Sequence, residues 1–382
     1  MLRTEGLKTF DAVAERHVGD GEPGLVAMVA HGDQVHVATR GSLSVGGAAM
    51  QRDTQFRIAS TTKPITAVAT LTLVEEGLID LDEPVDRLLP ELADRRVLRT
   101  MDGPLDDTVP ANRPITTRDL LTFTFGLGMA FEMFTAPPPP IFIAAAAEPL
   151  CNFGPPEPDK VAAPDAWMAK LGELPLVAQP GERWLYNTGA SVLGVLAARA
   201  VGDPFPDVLR SRVFAPLGMH DTAMYAADTS RLAASYESDA MTVRDPATGA
   251  WSQPPTFPDG AAGLVSTADD LLAFGRMLLH GGDPVLPDTT VKEMTTNQIT
   301  SAQAGNATDT FLGGGGWGYC VAVTTEGPRA GSFGWAGGLG TTWLVDPVRD
   351  LIVIALTQRM FEGPQTPRLH ADLQDAAYAA IG

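Results

Sequence analysis

Hydrophobic positions near the start of the chain recur at Leu7, Phe10, Val13 and Ala14, the spacing of one helix face, and Asp20-Gly21-Glu22-Pro23-Gly24 ends the pattern. Two β-rich runs follow at 25–30 and 35–39, joined by His31-Gly32-Asp33-Gln34, a composition that favours a tight reversal. The far end mirrors this, with a run at 341–345, a turn at Asp346-Pro347-Val348-Arg349-Asp350, a second run at 351–356 and a helix over about 367–381. Helical patterns fill the middle: one after Ser60, one from near Thr117, one over about 190–201, and one capped by Ser266-Thr267-Ala268-Asp269.

Strands at both ends and helices between them predict an α/β plus all-α fold, an antiparallel sheet assembled from the two termini with an inserted helical part. The expected division is 1–80 with 300–382 for the sheet domain and 81–299 for the mainly helical one. Between the helices, 131–164 holds Pro137-Pro138-Pro139-Pro140 and reads as a long ordered loop that lids or shapes a pocket. Phe131, Met133, Phe134, Ile141, Phe142 and Ile143 are costly to leave in water, which argues against a solvated linker.

Composition narrows the function classes. The 382 residues carry 27 basic and 46 acidic side chains, a formal charge of −19, which argues against nucleic acid or an anionic membrane as partner. The 39 glycines and 31 prolines belong to ordered turns, since 45% of the chain is hydrophobic and a large core is affordable. Cys151 and Cys320 allow at most one disulfide and no four-cysteine zinc site, so a reducing, cytoplasmic setting is expected. Neither the first residues nor any apolar run reads as a secretory signal or a membrane span.

Three segments carry candidate chemistry. In Phe56-Arg57-Ile58-Ala59-Ser60-Thr61-Thr62-Lys63-Pro64 an extended run becomes a helix, and residues three apart share a helix face, so the Ser60 hydroxyl and Lys63 amine come within reach. A desolvated lysine can lose enough basicity to accept the serine's proton. Five lysines stand against twenty-two arginines, and Lys63 alone has a serine three residues before it. A capping serine beside an exposed lysine is the structural alternative. Tyr186, in Trp184-Leu185-Tyr186-Asn187-Thr188-Gly189, sits at a loop-to-helix junction where a phenol can shuttle a proton, or it is a rim aromatic. The glycine-rich 331–343 run reads as a strand, either bulged or with amides free to face an oxyanion.

Ser60-Thr61-Thr62-Lys63, Tyr186 and Trp335-Ala336-Gly337, in that order and on those elements, resemble the three active-site motifs of the serine β-lactamase and penicillin-binding-protein superfamily. The nearest branch is the class C-like family VIII carboxylesterases. Segments 78–85, 120–127 and 214–219 add to the likeness, which spans about 24–354. The resemblance implies that fold. It makes Ser60 the acylated nucleophile, Lys63 its proton acceptor, Tyr186 the second acid/base, and the amides of Ser60 and Gly338 an oxyanion hole. No cofactor and no metal are implied.

Departures from the family pattern point to the substrate. Trp335-Ala336-Gly337 stands where these enzymes usually have Lys-Thr-Gly, which removes a cation suited to a carboxylate and favours uncharged esters. Thr188 stands where the usual Asn would be, with Asn187 one position early. Phe123 and Phe125 replace the common His and Ser, and with the loop after Phe131 they suggest an apolar pocket. The expected substrate-contacting set is therefore Trp335, Ala336, Gly337, Phe123, Phe125 and Thr188. Acyl transfer through the same intermediate, amide or D-aminopeptide hydrolysis, β-lactam hydrolysis and an idle ligand-binding relative remain alternatives.

No Gly-x-Ser-x-Gly elbow, Gly-Lys-Ser/Thr phosphate loop or His-Glu-x-x-His occurs. The Gly313-Gly314-Gly315-Gly316 run reads as a turn feeding a strand, and the acids Asp80, Asp82, Glu83 and Asp86 as a solvated surface.

Overall fold

The computed structural model describes residues 1–150, 156–238, 242–363 and 365–381. Helix α1 (Thr4–Gly19) leads into β1 (Gly24–His31), and a two-residue turn returns the chain as β2 (Gln34–Gly41). β1 then pairs antiparallel with Leu351–Thr357 from the far end of the chain, Val29 opposite Val353. The sheet continues through Thr341–Asp346, Phe333–Gly337, Ala322–Val323 and Gly316–Trp317, seven antiparallel strands in all.

Both faces of the central strands are covered, which is why they read as continuous apolar runs rather than alternating ones. On one face Leu25, Ala27, Val29, Leu351, Val353 and Ala355 pack under α1 and the last helix, Arg368–Ile381, through Phe10, Val13, Leu369 and Leu373. These two helices approach closely because Gly6 has no side chain: a Cβ there would lie 2.4 Å from the Ala380 Cα. On the other face Val26, Met28, Ala30, Ile352, Ile354 and Leu356 join the main core. Burying each such aliphatic side chain stabilises the fold by about 1.5–3 kcal/mol.

At the centre of that core lies α2 (Thr62–Glu75), in which every residue from Thr62 to Leu73 is buried. A helix enclosed on all sides has little amphipathic pattern, and only its start was marked in the sequence, by Pro64 in the opening turn. The helix Thr188–Val201 packs beside α2, and Ala268–Leu279 lies across the strands, with Thr267 capping it by accepting from the Asp270 amide. Among the described residues no helix is long and apolar enough to cross a membrane.

Three expectations need correcting. The 131–164 segment is not a loop throughout: among its described residues Phe131–Phe134 forms a 3₁₀ turn and Pro140–Ala147 an α-helix, the last proline of the run occupying the first helical turn, where its missing N–H costs nothing. Met133, Ile141 and Phe142 are buried as argued, whereas Phe134 and Ile143 are exposed. Cys151 lies outside the described residues. The 331–343 run is not one strand but a hairpin, Phe333–Gly337 paired with Thr341–Asp346 and placing Trp335 opposite Trp343.

Candidate active site

The strand Phe56–Arg57 pairs with Val265–Ser266, and the Ile58 amide donates to the Leu264 carbonyl, so the chain is fixed just before Ser60. Ala59 then takes φ +44°, a left-handed conformation that non-glycine residues avoid, and Ser60 sits in the short 3₁₀ turn Ala59–Thr61 that runs into α2. One turn on, Lys63 is fully buried, and its Nζ lies 2.9 Å from Ser60 Oγ and donates to the Ala261 carbonyl at 2.9 Å. Burial lowers the amine from its ordinary 10.5 to about 7, against the opposing pull of Asp259 and Cys320. A lysine so placed is neutral in part of the population at neutral pH and can accept a hydroxyl proton.

Tyr186 arrives from another part of the chain. Its backbone pairs with Met129, each amide donating to the other's carbonyl, at 2.8 and 3.0 Å. Gly128 permits this approach, since a Cβ there would meet the Leu185 carbonyl oxygen at 2.6 Å. Asn187 follows at φ +81° and turns the chain into the helix Thr188–Val201. The Tyr186 ring centroid is 4.6 Å from Lys63 Nζ, and its hydroxyl accepts a 2.7 Å hydrogen bond from Trp335 Nε1. Burial holds the phenol above its usual range, while hydrogen bonding from Ser60 and Trp335 works in the other direction. The phenol is therefore protonated at neutral pH.

The hairpin Phe333–Asp346 closes the site. A Cβ on Gly337 would fall 2.2 Å from the Ile58 carbonyl oxygen, so only glycine lets the strand lie against the backbone that leads to Ser60. Thr341 Oγ1 donates to that same carbonyl at 2.9 Å. Gly338 sits in the hairpin turn beside Ser60, and neither the Ser60 nor the Gly338 amide is used in a loop, turn or cap hydrogen bond among the described residues.

Ser60, Tyr186, Trp335, Ala336 and Gly338 line one cavity of about 680 Å³. Phe123, Phe125, Thr188 and Gly337, expected to touch substrate, do not line it. Phe123 and Phe125 are fully buried, the Phe123 ring packing behind Tyr186 at 5.9 Å between centroids. Thr188 is buried at the start of its helix, and Gly337 faces Ile58. The apolar wall comes instead from Met129, Phe134, Phe311 and Leu312, and the turn Gly313–Gly315 also borders the cleft. In the sequence this glycine run reads only as a turn feeding a strand, with no place at the site.

Charge in the wall is of one sign. Asp259, Glu326 and Glu362 contribute carboxylates, and no Lys, Arg or His lines the cavity among the described residues. Asp259 escaped sequence reasoning, although an acid directly before Gly260-Ala261-Ala262-Gly263, in so apolar a run, was visible. It is buried, and its Oδ1 accepts from Ser191 Oγ at 2.6 Å and from the Ala261 amide at 2.8 Å. Among the described residues no cluster of His, Cys, Asp and Glu is placed to hold a metal ion.

Comparison with known proteins places the chain in a family and matches its fold. The family model described as Beta-lactamase matches residues 10–378. Protein Rv1367c of Mycobacterium tuberculosis is 41% identical over 334 residues, covering 82% of this chain and 79% of its own. Esterase EstB of Burkholderia gladioli is 31% identical over 383 residues, covering 93% and 91%. Among solved structures, EstCE1, described as a hydrolase with promiscuous acyltransferase activity, superposes with a TM-score of 0.83 at 26% identity and covers 98% of each chain.

Proposed function

The chain belongs to the beta-lactamase family and has its fold, and from that premise we propose that it is a serine hydrolase that cleaves small, uncharged carboxylic esters through an acyl-enzyme on Ser60. The observation that carries the reading is the fully buried Lys63 amine, 2.9 Å from the Ser60 hydroxyl and brought near neutrality by desolvation.

In acylation, Ser60 Oγ attacks the ester carbonyl while its proton passes to neutral Lys63. The carbonyl oxygen becomes an oxyanion, stabilised by the Ser60 and Gly338 amides, donors aimed where charge develops. Collapse breaks the bond to the alcohol oxygen, and the protonated Tyr186 phenol supplies the proton that the departing alkoxide needs. The Trp335 indole N–H steadies the phenolate left behind. In deacylation the phenolate takes a proton from water as that water attacks the acyl carbonyl, and Ser60 is released with its proton restored from Lys63.

Substrate charge follows from the wall. With carboxylates from Asp259, Glu326 and Glu362 and no lining cation among the described residues, a carboxylate-bearing β-lactam or peptide finds no partner. Neutral esters suit the apolar face of Met129, Phe134, Phe311 and Trp335. A second reading, acyl transfer, is favoured by the size of the cavity, about 680 Å³, which can hold an acyl group and an acceptor alcohol together. EstB and EstCE1, an esterase and a hydrolase with acyltransferase activity by description, support both readings. The buried Cys320 thiol suits a reducing, cytoplasmic setting.

Turnover of p-nitrophenyl acetate, butyrate and octanoate is measured beside a chromogenic cephalosporin, with wild type and Ser60→Ala in parallel. Ester turnover that vanishes in Ser60→Ala, with little cephalosporin cleavage, supports the assignment. Near-normal turnover in Ser60→Ala overturns the mechanism, and efficient cephalosporin cleavage makes the protein a β-lactamase instead.

A further inference from the structure

Two acid–base groups from distant parts of the chain must be held against one hydroxyl. Lys63 comes from α2, and Tyr186 from the segment that leads into the helix Thr188–Val201. Asp259 touches the supports of both. Its Oδ1 accepts from Ser191 in the first turn of that helix, and also from the Ala261 amide. The Ala261 carbonyl in turn accepts from Lys63 Nζ at 2.9 Å. Asp259 is buried and reaches the cavity wall, so its charge is lodged where solvent screens it little.

We propose that Asp259 is a positioning residue of the catalytic site: one carboxylate oxygen ties the helix that follows Tyr186 to the turn whose carbonyl holds Lys63 against Ser60. This rests on the roles of Ser60 and Lys63 proposed above.

The tether also has an electrostatic side. The groups facing Lys63 are the Ser60 hydroxyl on its own element, the Asp259 carboxylate and Ala261 carbonyl from 259–261, the Cys320 thiol, and the Tyr186 ring. Burial raises both the thiol and the phenol, so each is neutral at neutral pH. Of the two groups that oppose desolvation at Lys63, Asp259 exerts the larger electrostatic pull and Cys320 the smaller. Desolvation alone pushes Lys63 toward the neutral amine, and Asp259 opposes it, leaving an amine that can both give and take a proton near pH 7.

Asp259→Asn is the informative substitution, because an amide oxygen can still accept from Ser191 and Ala261 while the charge is gone. The pH dependence of kcat/KM for p-nitrophenyl butyrate is recorded beside the rate at which a phosphonate ester labels Ser60. Asp259→Asn is expected to move the acid limb of both profiles to lower pH by roughly half to one unit, because Lys63 then loses its proton more readily. Asp259→Ala, which also frees the tether, is expected to lower kcat by about ten- to a hundredfold. Ser191→Ala removes one tether and keeps the charge, so kcat falls with the acid limb unmoved; it decides the matter should the Asp259 variants fold poorly. An acid limb in Asp259→Asn that superimposes on wild type or moves to higher pH overturns the proposal, and so does wild-type kcat in Ser191→Ala or Asp259→Ala. A wild type that neither turns over esters nor takes the phosphonate label defeats the serine-hydrolase reading itself, and the two failures are thereby told apart.

Discussion

The indole nitrogen of Trp335 donates a 2.7 Å hydrogen bond to the hydroxyl of Tyr186, so the residue standing where a cation is usual in this family still serves the phenol, as a neutral donor. Trp335→Phe keeps an aromatic wall and deletes the donor. A hydrogen bond to a charged group is worth about 1.5–3 kcal/mol, so kcat is expected to fall roughly ten- to a hundredfold with a smaller change in KM. Tyr186→Phe should cost more, about 10²–10⁴-fold, because the proton itself is lost. Steady-state kinetics on p-nitrophenyl butyrate checks both, and an unaltered kcat in Trp335→Phe would show that the indole does no more than line the cavity.

In the proposed mechanism Lys63 must be neutral to accept the Ser60 proton, and burial brings it down to about 7. Below that value kcat/KM should therefore fall about tenfold per pH unit. The stability consequence has a definite sign. The unfolded chain holds this proton up to its ordinary 10.5, whereas the folded chain releases it at about 7, so between those values the group makes the fold more stable as pH rises. Lys63→Met removes a charge that is buried at low pH. Thermal unfolding near pH 6 should show it several degrees more stable than wild type and without turnover.

Substrate charge offers an independent test. With p-nitrophenyl esters of similar size, the hemisuccinate should show kcat/KM at least about tenfold below the butyrate, and the gap should narrow as salt screens the wall carboxylates. Equal rates for the two would mean that Glu326 and Glu362 do not face the bound acyl group.

Arg57, three residues before Ser60, is 2% exposed and pairs with Asp245, while also donating to the carbonyls of Ala233 and Pro246. Desolvation lowers its basicity, and Asp245 is the countercharge. Asp245→Ala leaves a cation buried without its partner, which should destabilise by about 3–5 kcal/mol. Urea unfolding measures this directly.

At Gly337 the added methyl of alanine would sit 2.2 Å from the Ile58 carbonyl oxygen, a backbone atom with little freedom to retreat. Gly337→Ala should displace the Ala59–Ser60 turn and lower turnover by at least about tenfold in protein that still folds. Phosphonate labelling that is as fast as in wild type would refute this.

Much of this arrangement was legible in the sequence. The doubly buried strands announced themselves at 25–30 and 351–356 as unbroken apolar runs, and Ser60, Lys63 and Tyr186 were marked by spacing and by their likeness to family motifs. What escaped depends on contacts between distant segments. Phe123 and Phe125 look like pocket residues in one dimension, but Trp184, Tyr186 and Trp317 from elsewhere in the chain cover the Phe123 ring. The prolines at 137–140 signalled a loop because a helix start and a turn share that residue, and the apolar residues after them decided for the helix. Asp259 matters through Ser191 and Ala261, and no local pattern records that pairing.

The pairing of Leu25 with Thr357 has a consequence for how the molecule comes into being. During synthesis the early hairpin β1–β2 exposes an apolar edge and two apolar faces until the strand at 351–357 has been made, a long interval for a segment prone to mispairing. The hairpin that carries Trp335 and Gly338 is made just as late, so under the proposed mechanism Ser60 spends nearly the whole of translation without the donor that would stabilise an oxyanion on its substrate. On that reading a nascent chain leaves the esters around it untouched.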